Sequence, residues 1–406
     1  MKLIINKLEK ESIDENHSCL KSLIHREGLD DFILKFEYNV NEKYVEENVV
    51  DSFLTSVLPY AMEFGYDTIE TINPITSNLY YSLTVNIIPV LSKYEKHFKN
   101  VNLKIGGGVC EYINDIKPIS IATGCSCGVD SLYTILTNIN SNDNYIPNDL
   151  NLTDLVVMNT GACSWKGGNE SRKWFNIEVD RARQVAIELN LGLITINTNL
   201  MEFYGVSHMH SNFMRMIGTL LGIRKLIKRY YFASTYEMNR FGFRNDEDGW
   251  YQYFITSELS NKENHFLTSG LCQSRFDKVK IIKNYDVTKK YINVCWTGGN
   301  NCGKCEKCLR TLGALDALNV LDDYYEVFDI NQYKKERKKN IAKMFVYHKM
   351  HPDFYDFLFD IRKNDKRIYN KARRYYLFKL RPYEILKNVG KKIIKKDSWL
   401  YKKLKK

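Results

Sequence analysis

Short apolar runs alternate with longer amphipathic segments through the middle of the chain, from about residue 116 to residue 330. The apolar runs are Ile119–Thr123, Leu155–Met158, Leu193–Ile196 and Tyr230–Ala233, and the amphipathic segments include Asp180–Leu191 and Phe213–Ile227. Strands and helices that alternate in this way are typical of an α/β domain, in which a mainly parallel sheet carries helices on both faces. Because ligands of such sheets bind beyond the carboxyl ends of the strands, we expect a functional site there.

The segments on either side of this α/β region have different patterns. Within residues 1–115, Ile33–Tyr38 alternates like a half-buried strand, Val49–Phe64 has helical spacing, and Val101–Ile105 resembles a second strand. These elements predict a small N-terminal α+β domain without identifiable chemistry. Residues 331–406 are basic, rich in tyrosine and phenylalanine, and helical in propensity, so we interpret them as a basic helical C-terminal tail.

Composition places the chain among ordinary globular proteins. Of its 406 residues 44% are apolar and only 7 are proline. No uninterrupted apolar run reaches the length that spans a bilayer. The first residues, Met1–Ser18, become charged too early for a secretory signal. The sequence therefore predicts a cytoplasmic protein, and its tail leaves a peripheral association with the membrane open.

The positive charge is concentrated in the tail. Residues 331–406 contain 25 Lys and Arg but 7 Asp and Glu, so 34 of the 59 basic and 41 of the 48 acidic residues lie elsewhere. The final segment, Lys391–Lys406, mixes lysine with apolar and aromatic residues. Such a segment suits an anionic membrane surface or RNA, and we slightly favour the membrane because no RNA-binding motif is found. A solvated helical appendage is the alternative.

A turn rich in small residues follows the first strand of the α/β region. Its sequence is Gly124-Cys125-Ser126-Cys127-Gly128-Val129-Asp130-Ser131. Small residues let backbone amides approach an anion, and a helix N-terminus adds its dipole and N–H donors. Ser126 and Ser131 can donate hydrogen bonds to phosphate oxygens. Asp130 indicates bound Mg²⁺, because a carboxylate beside a phosphate needs a compensating charge. The alternative is a helix cap without a ligand.

Four of the ten cysteines lie within fourteen residues, spaced C-x6-C-x2-C-x2-C. They are Cys295, Cys302, Cys305 and Cys308. Disulfides are rare in the cytosol, so the cluster points to a metal. Four thiolates without a nearby histidine favour a structural Zn²⁺ site. An iron–sulfur cluster is the main alternative, and a redox-active pair is a weaker one.

The turn resembles the PP-loop of adenine nucleotide α-hydrolase-like ATPases, whose signature is Ser-Gly-Gly-x-Asp-Ser. The match falls on Ser126, Gly128, Asp130 and Ser131, whereas Cys127 stands where the family has its first glycine. If that position needs a positive φ, a Cβ atom costs about 1 kcal/mol there, which would lower the efficiency of ATP cleavage.

The order of the two motifs extends the resemblance. A PP-loop followed about 165 residues later by four cysteines is similar to 7-cyano-7-deazaguanine synthase-like proteins, which carry a four-cysteine zinc site after the ATPase core. The segment Asn301–Thr311 and the N-terminal extension look closer to an uncharacterised branch of the superfamily. The resemblance covers about half of the chain, from residue 118 to residue 320.

This resemblance implies a HUP-type fold and an ATP-dependent ligase or amidotransferase-like enzyme that uses ATP, Mg²⁺ and Zn²⁺. The implied nucleotide-binding residues are Gly124, Ser126, Cys127, Gly128, Val129, Asp130, Ser131, Asn159 and Ser234. An acceptor oxygen would be adenylated or phosphorylated and then attacked by a nitrogen nucleophile, with Asp130, Arg275 and Lys278 as catalytic residues. The expected acceptor is a small molecule, a nucleobase or a glycan precursor, and a homodimer is left open. The alternative for Arg275 and Lys278 is a position on the surface before a helix.

Two further residue pairs have competing interpretations. His208 and His210 could ligate a metal or transfer protons, but polar surface histidines are favoured because the sequence shows no third ligand nearby. Cys125 and Cys127 could serve sulfur transfer, although buried cysteines at strand ends are common. Two other functions therefore stay open beside the ATP-dependent enzyme: a non-catalytic nucleotide-binding scaffold and an RNA-modifying sulfur or nitrogen transferase.

Overall fold

The computed structural model describes residues 1–140, 145–164, 166–204, 210–243, 248–295, 299–348 and 353–386. His208 and the basic segment Lys391–Lys406, both singled out above, lie outside these ranges. The chain forms two compact units, residues 1–272 and residues 273–406. The domains 1–115, 116–330 and 331–406 that the sequence predicted stay a prediction.

The strands of the first unit are short, and several of its helices connect them. Within the described ranges, the strands are β1 (Lys2–Ile5), β2 (Glu9–Asp14), β3 (His17–Arg26), β4 (Phe32–Tyr38), β5 (Thr68–Thr71), β6 (Ile75–Thr76), β7 (Asn102–Ile105), β8 (Val109–Cys110), β9 (Ser120–Gly124), β10 (Asp154–Met158), β11 (Gly192–Thr198), β12 (Ile227–Ala233) and β13 (His265–Ser269). The α-helices are α1 (Asp51–Phe64), α2 (Ser77–Tyr81), α3 (Ile88–Tyr94), α4 (Val129–Thr137), α5 (Gly168–Leu189), α6 (Leu200–Tyr204), α7 (Asn212–Leu221) and α8 (Gln252–Leu259).

One large mixed sheet organises this unit, in the order β13-β12-β9-β10-β11-β4-β3-β1-β5-β7, with β2 beside β3. The strands from β13 to β11 are parallel, as are β1, β5 and β7. The intervening pairs are antiparallel, and Ile196 of β11 lies opposite Tyr38 of β4. The structure thus confirms an α/β fold with a mostly parallel sheet flanked by helices, in an arrangement consistent with a Rossmann-like fold.

The N-terminal strands share their core with the α/β region. The hydroxyl of Tyr38 on β4 donates a 2.9 Å hydrogen bond to the carbonyl of Thr219 on α7. Helices α1 and α7 also pack closely at Gly218. A Cβ atom added there would lie only 2.8 Å from the Ser52 carbonyl oxygen and the Ser56 nitrogen. These contacts explain why residues 1–115 belong to the same compact unit as the parallel strands.

The six predicted strands are confirmed, but two helices were predicted with wrong bounds. The predicted helix Phe213–Ile227 ends at Leu221, because the apolar residues that continue beyond it form a turn and the start of β12. A periodic apolar pattern cannot distinguish a helix that continues from a helix that is followed by a buried turn and a strand. Helix α5 begins at Gly168 rather than Asp180 and ends at Leu189, and its C-cap residue Asn190 adopts a left-handed φ of 53°. The sequence did not predict strands β1, β2, β3, β5, β6, β8 and β13.

The second unit is helical in its described part. Its α-helices are α9 (Arg275–Ile282), α10 (Asp286–Tyr291), α11 (Glu306–Ala317), α12 (Ile330–Tyr347), α13 (Asp353–Asn364) and α14 (Lys366–Tyr375). The helical character predicted for residues 331–406 is therefore confirmed in the described parts of that segment, 331–348 and 353–386. Among the described residues, we find no helix with the length and apolar content that crossing a membrane requires.

Candidate functional site

The turn 124–131 follows β9 at the point where the strand order of the parallel sheet reverses. From β9 the chain passes through α4 to β10 and then to β11 on one side, and it later reaches β12 on the opposite side of β9. A crevice opens beyond the strand ends where neighbouring connections diverge in this way, and ligands of open α/β sheets bind there. The turn therefore occupies the position that the fold favours for a ligand.

Hydrogen bonds within the turn hold its two serines together. The Ser126 hydroxyl lies 3.2 Å from the Ser131 hydroxyl, which donates to the Gly128 carbonyl oxygen at 3.1 Å. The Gly128 N–H donates to the Ser126 hydroxyl oxygen at 3.4 Å. Helix α4 begins immediately afterwards, with Gly128 as its N-cap residue and without a capping side chain. The first N–H groups of an α-helix have no intrahelical acceptor, so this turn presents donors together with two hydroxyl groups.

Cys127 adopts a left-handed backbone conformation, with φ of 54°. The position occupied by glycine in the PP-loop signature thus has the positive φ that favours glycine. A Cβ atom in this conformation costs about 1 kcal/mol. Cys127 therefore carries this strain at the position where the PP-loop signature has its first glycine.

Cys125 and Cys127 lie beside each other inside the protein, with their Sγ atoms 3.8 Å apart. Both side chains are buried. The hydrogen bond with Cys125, together with burial, raises the pKa of the Cys127 thiol well above its usual value. Because the thiolate is the reactive form, this environment does not suit sulfur transfer by Cys127.

The two other predicted nucleotide-binding residues also lie at strand ends but are buried. The Asn159 amide donates to Asn197 at 2.9 Å and accepts from the Ser171 hydroxyl at 2.5 Å. The Ser234 hydroxyl donates to the Gly270 carbonyl oxygen at 2.7 Å. These side chains follow β10 and β12, the neighbours of β9, so the fold brings them to the same edge of the sheet as the turn. Their side chains are thus hydrogen-bonded to other groups of the protein.

A cavity of about 300 Å³ in the first unit lies away from this turn. Its lining includes Thr76, Cys110, Tyr112, Arg224 and Lys262 but no residue of the turn. Arg224 is committed to a buried ion pair with Asp51, with 2.7 Å between the nitrogen and oxygen atoms. The cavity therefore provides no support for binding at the turn.

The four cysteines of the second unit converge on one point. Their sulfur atoms all lie within 4.8 Å of one another. The Sγ atoms of Cys295 and Cys305 are 4.0 Å apart, and those of Cys302 and Cys308 are 3.9 Å apart. A tetrahedral ion with Zn–S bonds of about 2.3 Å separates its sulfur ligands by about 3.8 Å. All four are free thiols rather than disulfides. The cluster can therefore hold a metal ion such as zinc, as predicted.

The backbone around these cysteines is shaped to stabilise thiolates. Gly303 adopts φ of 66° and turns the chain between two of them. The N–H groups of Lys304 and Cys305 donate to the Cys302 sulfur at 3.4 and 3.3 Å, and the Cys308 N–H donates to the Cys305 sulfur at 3.4 Å. Burial raises the pKa of the Cys308 thiol, so a bound cation is needed to hold it as a thiolate near neutral pH.

The predicted catalytic cations lie on the first turn of α9, in the second unit. Arg275 is the first residue of this helix, which Ser274 caps by accepting a hydrogen bond from the Asp277 N–H at 3.1 Å. Lys278 is buried rather than exposed, so the alternative of a surface position before the helix is wrong for it. Their catalytic role stays a prediction.

His210 has neighbours that the sequence did not indicate. Glu95 and His97 join it in a second group of side chains that can ligate a metal. More than a hundred positions separate the two halves of this group, and no local pattern relates them.

Comparisons with protein-family models, with curated proteins and with solved structures give no match to this chain. The fold and the cysteine cluster define it as an α/β protein with a mostly parallel sheet and a candidate four-cysteine metal centre.

Proposed function

We propose that this protein is an ATP-dependent enzyme of the PP-loop type, with a HUP-type core and a nucleotide bound at the turn 124–131. The observation that carries the proposal is the left-handed φ of Cys127, which stands where the signature has a glycine. The turn that contains Cys127 also lies where the strand order of the sheet reverses. A helix cap alone needs neither feature. The fit of Ser126, Gly128, Asp130 and Ser131 to the remaining signature positions adds to this support.

The proposed reaction has two steps on an acceptor, for which we retain a small molecule, a nucleobase or a glycan precursor. An acceptor oxygen attacks a phosphorus atom of ATP, and the P–O bond to pyrophosphate or ADP breaks. A nitrogen nucleophile then forms a C–N bond to the acceptor, and AMP or phosphate leaves with the activated oxygen. Helix N–H groups and hydroxyls around the phosphates stabilise developing charge, and positioning supplies much of the remaining rate enhancement.

The residues of the turn also fit Mg²⁺. The Asp130 carboxylate and the hydroxyls of Ser126 and Ser131 are the hard oxygen donors that this ion prefers, and a cation offsets the repulsion between Asp130 and phosphate. A bound Mg²⁺ ion would neutralise part of the negative charge of the phosphates. Arg275 and Lys278 are proposed to add positive charge during the reaction.

Calorimetric titration with ATP and Mg²⁺ tests the nucleotide site. Asp130→Ala and Ser131→Ala should each weaken binding at least about tenfold, which corresponds to about 1.4 kcal/mol. Asp149→Ala, which removes an exposed carboxylate outside the turn, is the matched control and should leave binding unchanged. Binding that is absent from the native protein, or that ignores Asp130→Ala, would refute the proposal.

Product analysis separates the enzyme from the non-catalytic scaffold. Phosphorus NMR of ATP incubated with candidate acceptors and ammonia distinguishes AMP with pyrophosphate from ADP with phosphate. Tight ATP binding without turnover across such acceptors would favour the scaffold, to which Cys127 in the turn already lends support. An RNA requirement would point to the RNA-modifying alternative, although the raised pKa of the Cys127 thiol argues against sulfur transfer.

We further propose that the four-cysteine cluster holds Zn²⁺ in a structural role. Four soft thiolates satisfy a tetrahedral ion completely and leave no open position for a substrate. Elemental analysis of the purified protein should therefore find zinc. Iron with inorganic sulfide and visible absorption would instead establish the iron–sulfur alternative.

A further inference from the structure

Glu95 and His97 lie in the turn that ends helix α3. Glu95 is the C-cap residue, and its N–H donates to the Leu91 carbonyl oxygen at 2.9 Å. Its own carbonyl oxygen accepts a hydrogen bond from the Phe98 N–H at 3.1 Å, and its Oε1 accepts one from the His97 N–H at 3.4 Å. These bonds close the turn and hold both side chains near one another.

His210 reaches the same place from the segment that precedes helix α7. The Tyr251 hydroxyl donates to the His210 carbonyl oxygen at 3.2 Å. The next residue, Ser211, accepts hydrogen bonds from Arg215 at two atoms: its hydroxyl from the guanidinium at 2.6 Å and its carbonyl from the N–H at 3.1 Å. Buried partners therefore anchor the backbone that carries His210.

The three side chains form a compact group of metal-binding atoms. Their ligand atoms all lie within 4.8 Å of one another, and the two imidazole rings lie 4.1 Å apart between centroids. A tetrahedral ion with bonds of about 2.1 Å separates nitrogen and oxygen ligands by about 3.4 Å. Small side-chain rotations therefore suffice for Glu95, His97 and His210 to share one ion.

The electrostatic surroundings favour a cation. Glu95 is only 1% exposed, and a buried carboxylate is costly unless positive charge compensates it. Glu63 adds a second carboxyl group close enough to interact with both Glu95 and His97. Buried Arg215 interacts with Glu63 and offsets part of this charge. Imidazole is a common metal ligand in its neutral form, and one shared ion can use both rings.

We propose that Glu95, His97 and His210 bind a divalent transition-metal ion, with Zn²⁺ as the best fit. Two imidazoles and one carboxylate form a donor set that such ions prefer. Three protein ligands leave a coordination position for water or a substrate oxygen, unlike the four-cysteine cluster. This second metal site does not depend on ATP binding by the turn 124–131.

The proposed site is linked to the edge of the sheet that carries the turn. The Arg215 guanidinium, which bonds to the Ser211 hydroxyl beside His210, also donates to the Thr160 carbonyl oxygen at 3.1 Å. Thr160 lies two residues beyond β10, a parallel neighbour of β9. Arg215 therefore connects the segment that carries His210 to the segment that follows β10.

Cobalt titration of the full chain, after removal of native metal with a chelator, tests this proposal. The four-thiolate site gives intense thiolate-to-cobalt charge-transfer absorption, and a site of nitrogen and oxygen ligands does not. We expect about two equivalents of Co²⁺ in the native protein and about one in His97→Ala, in which the charge-transfer bands are retained. The double variant Cys302→Ser, Cys305→Ser should lose these bands and still bind about one equivalent.

Two variants keep this test decisive. His265→Ala removes a partly buried histidine of β13 outside the group and should retain both equivalents. Glu95→Gln preserves side-chain shape and gives the same readout if His97→Ala fails to fold. A single equivalent in the native protein, or unchanged stoichiometry in both Glu95→Gln and His97→Ala, would overturn the proposal.

Discussion

A Cβ atom at Gly124 would lie 2.9 Å from the hydroxyl oxygen of Tyr230, in a part of the sheet where β9 and β12 are neighbours. Tyr230 is fully buried, and within the described residues its hydroxyl has no hydrogen-bond partner. The glycine that begins the candidate phosphate turn is therefore required by packing as well as by any ligand.

Gly124→Ala should destabilise the protein by about 1 to 3 kcal/mol, because the added methyl group overpacks the Tyr230 hydroxyl. Tyr230→Phe should be neutral or stabilising by about 1 kcal/mol, because it removes a buried polar group, and it should rescue much of the Gly124→Ala loss. Tyr231→Phe is the control and should cost about 1 kcal/mol, since that hydroxyl donates to the Leu150 carbonyl oxygen at 3.0 Å. Denaturant unfolding measures all four variants, and additive losses in the double variant would contradict the contact.

Cys127→Gly should be more stable than Cys127→Ala by about 1 kcal/mol, because both remove the sulfur but only glycine relieves the left-handed strain. The opposite order is expected at Cys125, which does not have a positive φ, since glycine there only adds backbone freedom. Thermal unfolding of the four variants measures the two differences. The same order at both sites would show that Cys127 is not strained.

Iodoacetamide at about pH 8 should label Cys272, which is exposed, and leave Cys127 unmodified in the folded protein. The raised pKa of the Cys127 thiol keeps it protonated, so its reactivity should increase only when the pH approaches that higher value. Peptide mass spectrometry of native and denatured samples locates the label. Equally fast labelling of both cysteines would restore sulfur transfer as an interpretation.

Cys302→Ser should release the ion of the four-cysteine cluster and destabilise the second unit by several kcal/mol, because binding energy of a structural metal is also folding energy. Lys304→Ala, which removes an adjacent side chain but no ligand, should retain the ion. Elemental analysis and limited proteolysis measure both effects. Unchanged stability of the metal-free protein would show that the site is not structural.

Asp365→Ala should destabilise the second unit by about 1 kcal/mol, because Asp365 caps helix α14 by accepting from the Ile368 N–H at 3.0 Å and also pairs with Arg337 at 2.8 Å. Glu326→Ala, at an exposed carboxylate, is the control.

Asp365 also makes the stability of the second unit depend on pH. The Ile368 hydrogen bond and then Arg337 lower the pKa of the Asp365 carboxyl in the folded state. The stabilisation is therefore complete above the unfolded pKa of about 3.9 and is lost as the pH falls through the lower folded value. The difference in unfolding free energy between Asp365→Ala and the native protein should shrink on acidification through that window. A difference that stays constant would contradict this assignment.

The sequence predicted the elements whose information is local. The buried runs at β9, β10, β11 and β12 carry their own strand signal, and the spacing of the four cysteines already implies convergence on one metal. The same local signal failed at Phe213–Ile227, where apolar residues of a helix, a turn and a strand follow one another without interruption.

Contacts between distant segments decided the rest. Three features depend on which surfaces pack together: the pairing of β4 with β11, the reversal of strand order at β9, and the group formed by Glu95, His97 and His210. The spacing of residues along the chain does not specify which surfaces these are. By itself, the sequence determined an α/β protein with a four-cysteine cluster and a small-residue turn, because these features arise between near neighbours. Only the tertiary structure decided that the N-terminal strands extend the same sheet and that a buried carboxylate meets two histidines, because burial of shared apolar surface selects those partners.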